Sequence, residues 1–275
     1  MIVIVDAVRT AMGGFQGSLS SCTAPDLGAV AIKEVVARAG LAANDIDEVI
    51  MGCVLPAGLK QGPARQAMRQ AGLPDSTGAT TINKICGSGM KAVMQAADAI
   101  KAGSAEIVVA GGMESMSNAP YLMDKARAGF RMGHGKVIDH MFQEGLEDAE
   151  TGLSMGILAQ EMADKKGYTR EQQDDYAIGS LNKAVTAVQQ GFFKDEIVPV
   201  TVSSRKGDVI VEQDEQPLNA KADKIPTLRP AFKKDGTITA ANASSISDGA
   251  SALVITSSEI AAQRNLKPLA NILAY

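Results

Sequence analysis

The segment Thr81–Ala92, TINKICGSGMKA, holds the residues best suited to chemistry in this 275-residue chain. Its pattern predicts a strand that ends before Cys86, a tight bend permitted by Gly87 and Gly89, and then a helix. The sulfur of Cys86 would then lie at a helix N-terminus, where free N–H groups and the helix dipole stabilise a thiolate. A thiolate is the nucleophile in acyl transfer, and an N–H of the same turn is suited to bind the oxyanion that forms.

Two other interpretations of this segment stay open. Cys86 is also a small apolar residue that can simply fill a core. The run Gly87–Ala92 fits the G-x-G-x-x-A fingerprint of dinucleotide-binding proteins. In that fingerprint an acidic residue ends the next strand, whereas Glu106 begins it here, and the preceding strand TTINK is polar. These departures argue against a nicotinamide or flavin site.

Apolar runs and helical repeats alternate through the first two-fifths of the chain. The predicted strands are Ile2–Val5, Val49–Val54, Ala79–Ile85 and Glu106–Ala110, and the predicted helices are Asp26–Ala39, Pro63–Gly72 and Gly89–Ala102. Strands separated by helices favour parallel pairing in a layered α/β fold. Such a fold would bring the Cys86 turn to one edge of a sheet.

The pattern changes after about residue 113 and returns to α/β character near residue 237. Between them, a long helical region is predicted over 157–190, with a capping-box start at Thr169 inside it, and strands over 196–202 and 207–211. After residue 237 we predict a small-residue helix, a buried strand Ala252–Thr256 and the start of another strand at Ile272–Tyr275. This organisation divides the chain into residues 1–117, 118–240 and 241–275.

Composition excludes several classes of protein. The chain is 45% hydrophobic and 21% charged, as soluble globular proteins are, and 27 Lys+Arg against 31 Asp+Glu gives no basic footprint for nucleic acid. No apolar run reaches the ~18 residues of a membrane helix, and no basic leader precedes Asp6. The cysteines Cys22, Cys53 and Cys86 are too scattered for a disulfide framework or a zinc site. We therefore expect no metal, no membrane and a reducing compartment, the cytoplasm.

TINKICGSGMKAV resembles the active-cysteine segment of the thiolases, the acyl-CoA C-acyltransferases. Other segments are similar to thiolase motifs and occur in family order: Asp6–Thr10, Gly62–Gln66, Gly111–Ser117, Leu228–Phe232, Thr239–Ser244 and Asp248–Ala250. The resemblance covers essentially the whole chain. It implies a thiolase-like α/β fold with a mixed sheet, whose inserted α-rich loop domain (118–240) contributes to coenzyme A (CoA) binding and oligomer contacts.

The resemblance assigns roles to individual positions. Cys86 matches the cysteine that takes the acyl group from acyl-CoA. Ser244 matches the serine that hydrogen-bonds the pantetheine arm, with Ala240 and Phe232 beside the CoA. These positions imply that no cofactor is bound permanently and that CoA thioesters are the substrates.

Other matched positions have a plainer interpretation beside the functional one. Leu146 and Met155 match apolar positions that flank pantetheine, although without the family ordinary packing would be the simpler explanation. Asn242 and Asp248 are expected to hold a turn rather than to touch substrate. Where many thiolases of the acetoacetyl-CoA type have a His before the loop-domain Met, this chain has Ser154.

The segment near the CoA nucleotide also departs from the family pattern. In many thiolases an Arg follows an Asp-Glu pair, whereas this chain reads Asp214-Glu215-Gln216-Pro217-Leu218. Charge alone suggests that Lys221 or Lys224 contacts the nucleotide phosphates instead.

Three catalytic segments of the family do not occur in these 275 residues: Gly-His-Pro with the His that activates the nucleophile, Cys-x-Gly with the acid/base Cys, and Asn-Glu, which orients water. His134 and His140 lie in a stretch similar to the family's subunit-contact loop and are poor candidates for the base. Cys22 and Cys53 match no second catalytic cysteine.

The resemblance implies acetyl-CoA C-acetyltransferase activity in fatty acid metabolism, by a homodimer or homotetramer. We expect these 275 residues alone to be catalytically deficient. The alternatives are a 3-ketoacyl-CoA thiolase for longer chains and a non-catalytic fragment that binds CoA or mediates oligomerisation.

Overall fold

The computed structural model describes residues 1–205 and 207–275. The strands are β1 (Ile2–Thr10), β2 (Gly13–Gly14), β3 (Glu48–Gly52), β4 (Gly78–Ile82), β5 (Ile107–Ser115), β6 (Tyr121–Leu122), β7 (Ile138–Asp139), β8 (Ile197–Val198), β9 (Val200–Ser204), β10 (Gly207–Val211), β11 (Ser247–Ser257) and β12 (Ala270–Asn271). The helices are α1 (Ala24–Arg38), α2 (Pro63–Gln70), α3 (Ser88–Lys101), α4 (Met155–Lys166), α5 (Arg170–Gln190), α6 (Glu215–Asn219) and α7 (Ser258–Gln263).

Within the described residues, eight strands form one mixed sheet. Six follow the order β12-β1-β11-β5-β3-β4, while β2 pairs with β11 and β8 with β1. The pairs β3–β4 and β3–β5 are parallel, as the strand–helix alternation predicts. The late strand β11 inserts antiparallel between β1 and β5, which makes the sheet mixed, and β1 pairs in parallel with the short strand β8.

The sheet separates two apolar cores, which confirms the layered α/β prediction. Successive residues of a strand point to opposite faces. Val49 and Met51 therefore pack in the core under α1 and α2, while Ile50 between them packs in the smaller core under α3. The α3 side is lined by Ala92, Ala96 and Ala97, whose small side chains let the helix approach the sheet closely.

Local signals explain where the principal helices begin and end. Thr23 caps α1 through a capping box with Asp26, and Pro25 occupies the first turn. The helical region predicted over 157–190 contains two helices, because Gly167 ends α4 in the left-handed conformation and Thr169 caps α5, as its capping box predicts.

Three predictions in the later part of the chain need correction. The small-residue helix after residue 237 is absent: residues 240–243 form a turn and a bend, residues 244–246 are irregular, and β11 then begins at Ser247. Small side chains are needed there for turns and close strand packing rather than for a helix. The strand predicted over 196–202 is divided into β8 and β9, and the last strand lies at Ala270–Asn271 rather than at 272–275.

Candidate active site

Cys86 lies between the end of β4 and the start of α3, two residues before the first helical residue, Ser88, and it is exposed. The sequence pattern predicts this location. Gly87 is the N-cap and provides no side-chain cap. The cysteine is thus presented to solvent at a helix N-terminus.

Hydrogen bonds hold the turn around the cysteine in a strained conformation. Ile85 has a φ of +49°, which is unusual for a β-branched residue. The Asn83 side-chain oxygen accepts from the Ile85 N–H at 2.9 Å. The buried Ser88 hydroxyl donates to the Ile85 carbonyl at 2.6 Å and accepts from the Lys84 N–H at 2.8 Å. Side chains on both sides of Cys86 therefore fix its backbone.

The N–H groups of the turn differ in their availability. Those of Gly87 and Ser88 donate to the carbonyls of Lys84 and Ile85 at 3.1 and 3.0 Å. Within the described part of the chain, the N–H of Cys86 itself has no acceptor. The backbone N–H of Cys86 is therefore the group of this turn that is available to bind an oxyanion.

Glycines bring the nucleophile turn against the sheet. A Cβ atom at Gly52, the last residue of β3, would lie 2.6 Å from the Ser88 Cβ. A Cβ at Gly112 would lie 3.5 Å from the Gly89 Cα. The start of α3 therefore lies against the end of β3, where a side chain at Gly52 would clash with Ser88, and in van der Waals range of β5 at Gly112.

A cleft of about 840 Å³ lies between residues 176–184 of α5, residues 216–228 and residues 240–245. It brings together Ala240 and Ser244, both predicted site residues, with Lys221 and Lys224. No residue of the 83–88 turn lines this cleft. Cys86 and the cleft are thus two separate features of this chain.

The remaining predicted site residues lie outside the cleft lining. The Phe232 ring packs directly against Gly156, the residue after Met155, and both Phe232 and Met155 are partly exposed. Leu146 ends a π-helical turn over Phe142–Leu146 and is half-buried. Phe232 therefore lies against the residue that follows Met155, whereas Leu146 is placed on a different segment.

The thiolase N-terminal domain family matches residues 2–259, nearly the full chain and including both the nucleophile turn and the cleft. This chain belongs to the thiolase family. Its fold and its sequence resemblance agree with that membership.

Relatives of this thiolase chain include acetyl-CoA acetyltransferases. The protein of that name from Escherichia coli strain K12 is 52% identical over 275 residues, with 99% of this chain and 70% of the relative covered. The one from Pseudomonas aeruginosa is 50% identical over 276 residues, with 100% and 70% covered. A crystal structure of the Bacillus anthracis acetyl-CoA acetyltransferase superposes with a TM-score of 0.94 at 40% identity, covering 98% of this chain and 68% of that one.

A half-buried carboxylate, which sequence reasoning missed, holds the loop to which Asn83 of the Cys86 turn is bonded. Glu114 of β5 accepts from the N–H groups of Val54 and Leu55 at 2.7 and 3.0 Å. Asn83, beside the nucleophile, donates to the Val54 carbonyl at 3.4 Å. Glu114 therefore organises the loop that supports the Cys86 turn.

Burial affects the titration of the groups near this loop. Desolvation raises the pKa of the Glu114 carboxyl, against the opposing effect of its two backbone donors. Desolvation, with the nearby Glu114 charge, raises the pKa of the Cys53 thiol to about 12. The Cys22 thiol is half-buried and its pKa is also raised by desolvation. The thiols of Cys53 and Cys22 are thus poor nucleophiles at neutral pH.

The two histidines occupy different surroundings. His134 is exposed, whereas His140 is buried and its Nε2 accepts from the Ala57 N–H at 3.4 Å. No hydrogen bond in the described chain joins either imidazole to the nucleophile turn. In the described residues no group of three or more His, Cys, Asp or Glu side chains is arranged to hold a metal. No described helix has the length and apolarity needed to cross a bilayer.

Ser154, where the chain departs from many thiolases, is the N-cap of α4, and its hydroxyl accepts from the Ile157 N–H at 3.4 Å. Serine is a favoured N-cap residue, so the capping role of Ser154 can be predicted from the sequence.

Proposed function

We propose that this thiolase chain transfers acyl groups between CoA thioesters through a thioester on Cys86, as an acetyl-CoA C-acetyltransferase. The reaction joins two acetyl-CoA molecules into acetoacetyl-CoA and free CoA, and it is reversible. The observation that carries the proposal is the exposed thiol of Cys86, held at the N-terminus of α3. The acetyl group as substrate is taken from the names of relatives about 50% identical to this chain.

In the first half-reaction, the thiolate of Cys86 attacks the carbonyl carbon of acetyl-CoA. The bond from that carbon to the CoA sulfur breaks, and CoA leaves as a thiolate that takes up a proton. Negative charge develops on the carbonyl oxygen, and a positioned N–H stabilises such charge. The free N–H of Cys86 is the donor that we propose for this role.

In the second half-reaction, a base removes a proton from the α-carbon of another acetyl-CoA. The resulting carbanion attacks the Cys86 thioester, forms the new carbon–carbon bond and releases the thiolate. By resemblance, the acid/base groups belong to the Gly-His-Pro and Cys-x-Gly segments, which these 275 residues do not contain. Loss of such a group lowers the reaction rate by ~10²–10⁴-fold. We therefore expect severely reduced turnover from the chain alone.

For CoA we propose the cleft between α5 and residues 240–245. Ser244 would hydrogen-bond the pantetheine arm beside Ala240, while Lys221 and Lys224 would face the phosphates. The cleft combines apolar lining residues with polar and charged ones, as ligand sites do, and its volume is in the range typical of them. Phe232, Met155 and Leu146 are proposed to form the apolar side of the pantetheine path.

We further propose a cytoplasmic enzyme of fatty acid metabolism that works as a homodimer or homotetramer, with CoA thioesters as substrates and no permanently bound cofactor. Three free cysteines fit a reducing compartment. In the segment similar to the family's subunit-contact loop, Met132 is 97% exposed, which fits a contact made by a second copy.

The test is incubation of the chain with acetyl-CoA, followed by intact mass and peptide mapping. We expect one acetyl group on Cys86 and none in Cys86→Ala, with thiolysis of acetoacetyl-CoA far below that of a full-length relative. Acetylation that persists in Cys86→Ala overturns the assignment of the nucleophile. Near-normal thiolysis by the 275 residues overturns the expected deficiency.

A further inference from the structure

Besides α5, the cleft has two walls, residues 216–228 and residues 240–245. A buried carboxylate in α5 connects these two walls. Asp174 is only 4% exposed. Its Oδ2 accepts from Arg170 Nε at 2.6 Å, and its Oδ1 accepts from Asn242 Nδ2 at 2.9 Å. Asp174 and Asn242 are 68 residues apart in sequence, so this contact joins the inserted helix to the segment that carries Ser244.

Arg170 extends the connection to one wall. Its Nη2 donates to the carbonyls of Ile225 and Leu228 at 3.0 Å each. Both of these residues line the cleft. The ion pair with Asp174 fixes the orientation of the Arg170 guanidinium, so that its Nη2 points to these carbonyls.

Asn242 extends the connection to the other wall. Its Oδ1 accepts from the Thr239 N–H at 2.7 Å, and its Nδ2 also donates to the Thr237 carbonyl at 3.1 Å. These bonds close the turn from which Ala240 and Ser244 face the cleft. The turn is rich in alanine, whose side chains offer no hydrogen bonds of their own.

The parts of the two walls that Arg170 and Asn242 contact, residues 225–228 and 237–242, belong to no strand or α-helix that would satisfy their backbone groups. Buried backbone N–H and C=O groups need partners, and side chains provide them where secondary structure does not. A fully satisfied buried polar network also specifies a single arrangement of the segments it joins.

We propose that Asp174 is a positioning residue for CoA: through Arg170 and Asn242 it sets the distance between the two walls of the cleft. This inference rests on the proposed function. It predicts that the affinity for CoA depends on Asp174, although its carboxylate is buried and does not line the cleft.

The test compares Asp174→Asn with Asp175→Asn, a matched change at the exposed neighbour. In Asp174→Asn one of the two carboxylate oxygens becomes an N–H₂ group, so the side chain can no longer accept from both Arg170 and Asn242. We expect CoA to bind roughly tenfold more weakly by calorimetry, the effect of one lost buried hydrogen bond. Asp175→Asn should bind like the unmodified chain.

Two further measurements separate positioning from a general loss of structure. The rate of iodoacetamide alkylation at Cys86 should be unchanged in Asp174→Asn. The exchange Asp174→Asn with Asn242→Asp restores a donor–acceptor pair between the two positions and should recover part of the affinity. Equal CoA affinity of Asp174→Asn and the unmodified chain overturns the inference, as does a parallel change in Cys86 alkylation.

The outcome for the unmodified chain distinguishes the two proposals. If that chain binds no CoA, the proposed cleft function fails and this inference fails with it. If it binds CoA and Asp174→Asn binds equally well, only the positioning role of Asp174 is wrong.

Discussion

The aromatic ring of Phe232 lies directly against Gly156 in the first turn of α4, so closely that a Cβ atom at this glycine would overlap the ring. Gly156 has no left-handed φ that would demand glycine. The missing side chain therefore makes room for Phe232, a residue that the proposed pantetheine path uses.

Gly156→Ala should displace the Phe232 ring and weaken CoA binding several-fold. Overpacking costs roughly 1–3 kcal/mol, and the helix preference of alanine returns up to about 1 kcal/mol. We therefore expect a net loss of about 1 kcal/mol in the free energy of unfolding, measured by urea denaturation. Gly179→Ala is the matched control, because nothing lies within 4 Å of a Cβ there, and it should stabilise α5. Equal effects of the two changes would show that the Phe232 contact is unimportant.

The nucleophile turn gives a second prediction. Ser88→Ala removes both bonds of a buried hydroxyl, to the Ile85 carbonyl and from the Lys84 N–H. We expect a loss of about 1–3 kcal/mol in unfolding free energy. Acetylation of Cys86 by acetyl-CoA should slow on the order of tenfold or more, because catalytic geometry is sensitive to small displacements. The slowing would be followed by mass spectrometry.

Ser104→Ala is the control for this change. Ser104 lies just beyond the other end of α3 and its exposed hydroxyl bonds the Ala99 carbonyl. Ser104→Ala should change the free energy of unfolding by less than about 0.5 kcal/mol. A Ser88→Ala chain as stable and as quickly acetylated as the unmodified one would contradict the role of Ser88.

Local patterns in the sequence account for much of the fold around Cys86. Alternating strands and helices predict β3, β4 and α3, because each signal lies within a few neighbouring residues. The break between α4 and α5 was also visible locally, since Gly167 and the Thr169 capping box stand side by side. The helix predicted after residue 237 failed because small residues suit both turns and close-packed strands, and only the pairing of β11 with β1 and β5 decides between them.

The supporting residues of the site could not be predicted in the same way. Glu114 bonds Val54 across 60 residues, and Asp174 bonds Asn242 across 68. Neither carboxylate lies in a motif that specifies its partner, and each contact exists only because the topology brings two distant segments together. Local sequence indicates the candidate nucleophile, whereas the longer-range contacts of Glu114 and Asp174 depend on the tertiary fold.

The three cysteines should differ sharply in reactivity. Cys86 is exposed, Cys22 is half-buried with a raised pKa, and Cys53 is buried with its pKa raised to about 12. Because the thiolate is the reactive form, iodoacetamide at pH 7–8 should label Cys86 first, Cys22 slowly and Cys53 hardly at all. Peptide mapping over time measures the order. In urea all three should react at similar rates, and rapid labelling of native Cys53 would be incompatible with its buried environment.

The raised pKa of Glu114 predicts a pH-dependent effect of its replacement. The folded state holds the Glu114 proton more tightly than the unfolded chain does, where the pKa of a Glu carboxyl is ~4.3. The contribution of this group to stability therefore falls as pH rises from about 4.3 through the raised pKa. Glu114→Gln removes the titration, so the variant should gain stability relative to the unmodified chain over that window. Urea denaturation of both chains between pH 4 and pH 7 measures the difference. A difference between the two chains that does not change with pH would contradict the effect of burial on Glu114.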